Sequence, residues 1–124
     1  MRGAVVAAGL LFAQAALACG YCVEDKIAAA YDHAVIARAV DVRHKVAFLS
    51  MEGALAKSQE RVLARAVEST AGVDRGTVRI SVEGGALSFA FDPSRHTLNS
   101  IVEGIQKRVA AKGADISVLR VVGD

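Results

Sequence analysis

The chain has no tryptophan, a single proline and only two cysteines among its 124 residues. Aromatic residues make up 5%, so a hydrophobic core has to come mainly from valine, leucine, isoleucine and alanine. Two cysteines cannot build the disulfide framework of a small secreted scaffold. A composition that is 53% hydrophobic and 23% charged is not that of a disordered protein. The length allows one small domain and excludes a multidomain enzyme or a membrane channel.

An excess of charge of one sign is also missing. Fifteen lysines and arginines against 13 acidic residues leave a formal net charge of +2, and no basic cluster stands out. Proteins that bind nucleic acid concentrate basic residues on one face, so we expect no nucleic-acid partner. The sequence has no Ser-His-Asp grouping, no paired catalytic carboxylates and no phosphate-binding loop, and Gly84-Gly85 predicts a turn. We therefore expect a protein that is not an enzyme.

The first eighteen residues are typical of a targeting segment. Arg2 precedes an apolar run from Gly3 to Leu17 that is too short to span a bilayer, and Ala16-Leu17-Ala18 matches a signal-peptidase site. We expect residues 1–18 to be a cleaved signal peptide and the mature chain to be periplasmic or secreted. A lipoprotein also carries a cysteine after the cut, but Ala16-Leu17-Ala18 fits that signal poorly, so lipidation of Cys19 is the minority alternative.

Hydrophobic periodicity predicts seven elements after the targeting segment. Apolar residues at four-residue spacing predict one helix from Val23 to Val40. The remaining elements are a strand at 45–51, a helix at 55–71, strands at 77–82 and 87–91, a helix capped by Thr97 and ending at Gly113, and a strand through Val121. This order predicts the α+β class: residues 45–124 form a ferredoxin-like βαββαβ sandwich, and residues 19–44 add an N-terminal helix.

Residues 45–124 also resemble the heavy-metal-associated domain family, which includes small copper chaperones and periplasmic mercury-binding proteins. The matching features are Met51 after the first strand, the turn Ala71-Gly72-Val73, the alternation Val78-x-Ile80-x-Val82 and the run from Phe89 to Pro93. The resemblance implies a ferredoxin-like fold and the binding of a soft metal.

The loop that carries the metal ligands in that family is different here. The family places Met-x-Cys-x-x-Cys after the first strand, and the matching stretch of this chain is Met51-Glu52-Gly53-Ala54-Leu55-Ala56. Gly53 and Ala56 stand at the two cysteine positions, and neither has a ligand atom. No metal role can therefore be transferred to this loop.

The only cysteines form the motif Cys19-Gly20-Tyr21-Cys22. Thiolate is a soft ligand that selects Cu(I), Hg(II) or Zn(II) over hard cations. Two sulfurs satisfy Cu(I), whereas a structural zinc site usually takes four ligands. We therefore expect Cys19 and Cys22 to bind a metal ion, with Cu(I) favoured over Hg(II) or Zn(II), and Met51 to be an auxiliary thioether ligand. Such a protein exchanges its ion with another metal-accepting or metal-donating protein.

Packing geometry predicts where this pair lies. If the predicted helix packs antiparallel to the first strand, its start returns to the end of that strand that carries Met51, where the family holds its metal. The same helix could cover the open sheet face or pair with a second subunit in a homodimer. His33, His44 and His96 are interpreted as ordinary surface or loop residues, the last two at the opposite end of the domain.

Two other functions remain open for the cysteine motif. The string Cys-Gly-Tyr-Cys also occurs in thioredoxin-fold disulfide enzymes, so thiol–disulfide exchange is one alternative. A non-catalytic interaction domain is the other.

Overall fold

The computed structural model describes residues 23–123. Residues 23–29 are helical and are labelled α1. The elements that follow are α2 (His33–Asp41), β1 (Lys45–Glu52), a 3-10 turn (Lys57–Gln59), α3 (Glu60–Glu68), β2 (Arg79–Ser81), β3 (Ala86–Phe91), α4 (Leu98–Ala110) and β4 (Asp115–Val122).

The strands form one antiparallel sheet in the order β2-β3-β1-β4. The central strand β1 pairs Phe48 with Ser88 of β3 on one side and Leu49 with Val118 of β4 on the other, with an irregularity between Phe48 and Leu49. This order and the βαββαβ connections from β1 onward are those of the ferredoxin-like sandwich. The predicted α+β class and fold are confirmed.

Alternation along the strands divides the core into two clusters. One face of β1 carries Ala47, Leu49 and Met51, which pack under α3 and α4. These helices contribute five aliphatic side chains that are at most 1% exposed, namely Leu63, Val67, Ile101, Ile105 and Val109. This cluster is the core expected for a βαββαβ domain.

The second sheet face is covered by the N-terminal helices. Val46 and Phe48 of β1 face this side, together with Ala86 and Ala90 of β3. The covering side chains are Ile27, Ala30, Val35 and Ala39. The predicted cover over the open sheet face is therefore present, and it turns a two-layer sandwich into three layers.

The single helix predicted from Val23 to Val40 is wrong, because the chain breaks into α1 and α2 around Tyr31. Asp32 has an extended backbone, with φ −140° and ψ 111°, and its carboxylate accepts a hydrogen bond from the Ala34 amide at 2.9 Å. A residue with this conformation and this contact is an N-cap, which begins a new helix. The Ala30 carbonyl accepts the buried hydroxyl of Ser88 at 2.6 Å, a contact that holds the break against the sheet.

The other predicted elements differ from the structure mainly in their ends. The helix predicted at 55–71 is the 3-10 turn followed by α3, and Val62 on this helix is 47% exposed. The predicted cap at Thr97 is confirmed, since its side chain accepts the Ser100 amide at 3.2 Å.

Candidate functional site

Cys19 and Cys22, the predicted metal ligands, lie outside the residues that the structure describes. The described chain begins at Val23, directly after the second cysteine, and is helical from that residue. The contacts of α1 therefore define the surface onto which the motif leads.

Lys26 joins α1 to the C-terminal end of β1. Its ammonium group lies 2.6 Å from the hydroxyl of Ser50 and 3.6 Å from the carboxylate of Glu52. Ser50 is 3% exposed, so Lys26 provides a hydrogen-bond partner for a buried hydroxyl. Ser50 and Glu52 are the residues on either side of Met51. The chain that follows the cysteine pair thus lies at the strand end from which the Met51–Ala56 loop departs, although the helix geometry used to predict this was wrong.

Glu24 joins the first turn of α1 to β4. Its carboxylate accepts a hydrogen bond from the Arg120 guanidinium at 2.8 Å. This hydrogen bond, together with the attraction of the two charges, lowers the pKa of Glu24 and raises the pKa of Arg120. Glu24 and Lys26 therefore attach α1 to both β4 and β1.

Met51, the predicted auxiliary ligand, is a core residue. It is 3% exposed and belongs to the cluster under α3 and α4. The side chains of α1 pack against the opposite sheet face. A thioether contribution to a site at the start of α1 would require Met51 to leave this packing.

The loop after β1 excludes a side chain at its first residue, Gly53. Gly53 has φ +140°, a conformation that residues with a Cβ rarely adopt, and a Cβ built there would collide with the carbonyl oxygen of Gly113. The backbone here is thus shaped for glycine.

The histidines give no metal centre within residues 23–123, where no group of three or more potential ligands is placed to hold an ion. His33 lies on α2, with its ring 3.4 Å from the hydroxyl of Tyr31. His44 and His96 line one cavity of about 340 Å³ next to the start of β1, the end opposite Met51, as predicted.

His44 connects two loops at that end. Its Nδ1 lies 2.6 Å from the carboxylate of Asp74, and its Nε2 lies 3.7 Å from that of Asp92. Hydrogen bonds from the hydroxyl and amide of Ser94, with the nearby charges of His44 and Arg95, lower the pKa of Asp92. Both ring nitrogens thus face carboxylates, which makes His44 a structural bridge.

Sequence reasoning missed the anchoring residues of α1. Lys26 and Ser50 are 24 positions apart, and Glu24 and Arg120 are 96 apart, so neither contact has a local signal. The available sequence feature is that Lys26 follows Cys22 by four positions, on a predicted helix that could cover the sheet. In residues 23–123 the structure has no helix long and apolar enough to cross a membrane.

Comparison with known proteins bears on the fold. No protein-family model matches the chain, and no curated protein matches it. The structure is similar to a copper-binding domain from HMA7, a P-type ATPase, with a TM-score of 0.51 and 16% identity over 62% of this chain and 96% of that one. It is also similar to oxidized MerP from Ralstonia metallidurans CH34, with a TM-score of 0.50 and 21% identity over 62% of this chain and 99% of that one.

A third similar structure is the N-terminal domain of a potential copper-translocating P-type ATPase from Bacillus subtilis in the Cu(I)-loaded state. Its TM-score is 0.50, with 11% identity over 65% of this chain and 94% of that one. The shared fold is the ferredoxin-like βαββαβ sandwich. The matched fold covers nearly all of each neighbour but about three fifths of this chain.

Proposed function

We propose that this protein binds a soft metal ion, preferably Cu(I), through Cys19 and Cys22. The observation that carries the proposal is the anchoring of α1 through Lys26 to Ser50 and Glu52, at the end of β1. Similarity in fold to copper- and mercury-binding domains supports it. On this proposal the two thiolates stand at the start of a helix instead of in the loop after β1, where Gly53 admits no side chain.

The ion pair between Glu24 and Arg120 reduces the opposition that the acidic first turn of α1 presents to thiolates ahead of it. Backbone N–H groups at a helix start lower the pKa of a nearby cysteine, whereas carboxylates in the first turn oppose that effect. Arg120 neutralises the carboxylate of Glu24, which leaves Asp25 as the unbalanced acid of this turn among the described residues. The ionised cysteine pair is therefore less opposed than the sequence Glu24-Asp25 indicates.

A two-coordinate site of this kind serves exchange or sequestration of an ion and needs no catalytic group. A third thiolate from a metal-donating or metal-accepting protein can attach before one of the first two leaves. We place this exchange in the periplasm, after removal of residues 1–18, and the intact mass of the exported protein measures that cleavage and any lipid on Cys19. Hg(II) and Zn(II) are the competing ions.

Competition for Cu(I) against a chromogenic chelator tests the proposal. The reduced chain from Cys19 onward should withdraw one Cu(I) per chain from the chelator. Cys19→Ser and Cys22→Ser should each abolish this, because one thiolate does not satisfy the ion. The matched control is His33→Gln, which removes an exposed potential ligand on α2 and should leave binding unchanged.

Insulin reduction, measured in parallel, separates metal binding from thiol–disulfide exchange. We expect no reductase activity from the wild-type chain. Reductase activity without retention of Cu(I) would establish the enzymatic alternative. Equal copper retention by the double cysteine variant would end the proposal.

A further inference from the structure

A groove of about 600 Å³ runs between α2 and the β2 edge of the sheet, away from α3 and α4. Among the described residues, α1 contributes none to its lining. Its volume is within the range of small-molecule sites, roughly 300–1,000 Å³.

Small side chains create this space. Val35 and Ala39 of α2 and Ala90 of β3 line the groove and are nearly buried, so they form an apolar floor. Ala39 and Ala90 have side chains that end at Cβ. Because alanine side chains are small, a helix that packs on a sheet through them leaves space beside it. Ala34, which is exposed, lines the same groove.

The polar lining carries an excess of positive charge. Arg38 and Arg75 both line the groove and are exposed. Within residues 23–123, neither guanidinium has a carboxylate oxygen within 4.0 Å. Arg79, the third arginine, is paired with Asp32 at 2.8 Å. The lining carboxylate, that of Asp74, is engaged by His44 at 2.6 Å.

We propose that this groove binds a small amphipathic organic anion, with its acidic group at Arg38 and Arg75 and its apolar body over the floor. Guanidinium groups donate paired hydrogen bonds to carboxylate, sulfonate or phosphate oxygens, which makes arginine the side chain suited to such a head group. The apolar floor supplies the affinity that two exposed arginines alone would not, because their attraction is screened by salt.

Decanoate is the first probe, used with the full mature chain. Titration should give saturable shifts of the backbone amide NMR signals of groove residues, with Ala34, Gly76 and Thr77 among them. Decyltrimethylammonium has the same chain length and the opposite charge, and it should give no saturable shifts. Binding of decanoate should weaken as sodium chloride rises. Equal binding of the cation, or shifts centred on another surface, would overturn the proposal.

Two groove variants test the assigned contacts. Arg38→Gln with Arg75→Gln should weaken decanoate binding about tenfold, whereas the matched pair Arg61→Gln with Arg65→Gln, two exposed arginines on α3, should change it less than twofold. Ala34→Phe places a ring in the groove from an exposed position and should also weaken binding about tenfold. Equal effects of the two arginine pairs would contradict the proposal.

A double cysteine variant tests whether binding in the groove is independent of metal binding. Cys19→Ser with Cys22→Ser should leave decanoate affinity unchanged, so the groove and the proposed metal site succeed or fail independently.

Discussion

At Gly53 the backbone itself decides what the residue can be. Its φ of +140° and the proximity of the Gly113 carbonyl leave no room for a Cβ. The sequence alone shows only that residue 53 is a glycine, whereas the structure shows that the backbone there excludes a side chain. The contact with Gly113 joins residues 60 positions apart, which no local pattern reveals.

Replacing Gly53 should therefore destabilise the protein more than replacing another glycine with positive φ. We expect Gly53→Ala to lower the free energy of unfolding by about 3 kcal/mol or more, since strain and a backbone clash add. Gly76→Ala is the matched control. Gly76 has φ +79° with nothing within 4 Å of a built Cβ, so its cost should be about 1 kcal/mol. Urea denaturation measures both, and equal costs would refute the assigned clash.

Among the elements, α1 and α2 show a feature that hydrophobic periodicity did not predict, the break between the two helices. Ile27, Tyr31, Val35 and Ala39 recur at helical spacing, yet Tyr31 is 54% exposed and lies at the break. The local sign of the break is Asp32, a good N-cap. Its carboxylate also pairs with Arg79, 47 positions away, and this contact lowers the pKa of Asp32. The periodicity predicted three of these four positions correctly, since Ile27, Val35 and Ala39 are buried, but the break at Tyr31 depends on distant partners.

The attachment of α1 to β4 should depend on pH through Glu24. Because Arg120 lowers the pKa of Glu24 below its usual value of 4.5, the ion pair stabilises the fold above that pH. This stabilisation is lost as the pH falls through the lowered pKa. Glu24→Gln should therefore be less stable than wild type at pH 7, and the difference should vanish toward pH 3.

Urea denaturation at a series of pH values measures this difference. The control is Asp25→Asn, which removes a neighbouring carboxylate that has no ion pair within the described chain. A Glu24→Gln deficit that stays constant from pH 7 to pH 3 would show that the ion pair is not its cause.

At the scale of the whole molecule, the two helical layers on the sheet bury different amounts of apolar side chain. The layer of α3 and α4 buries Leu63, Ile105 and Val109 completely, at 0% exposure. The N-terminal layer buries smaller side chains, and the two largest of its four buried ones, Ile27 and Val35, remain 9% and 8% exposed. Less apolar area holds the second layer, so it should open before the rest of the fold.

Native-state hydrogen exchange tests this order of opening. Amides of α1 and α2 should have protection factors at least about tenfold lower than those of α4. Val35→Ala should lower protection in α2 and leave α4 unchanged. Equal loss of protection in both helices would mean that the molecule opens as one unit.

The sequence was sufficient for the fold because βαββαβ order and strand alternation are local patterns. Thr97 and the apolar positions of α4 are read directly from spacing and confirmed by the structure. The groove beside α2 was not predicted, since it depends on how Ala39 and Ala90 meet across two layers. Cys19 and Cys22 were identified by residue type, and their ligand role stays a prediction.

The short joint between α2 and β1 has a mechanical consequence. Only residues 42–44 separate the two elements, and Arg43 there adopts φ +61°. If the N-terminal layer lifts from the sheet, it remains tethered at that joint, and the helical residues of α1 and α2 together span roughly 25 Å. Because the joint is only three residues long, a lifted layer stays close to the sheet, and its return is an intramolecular step that does not depend on protein concentration.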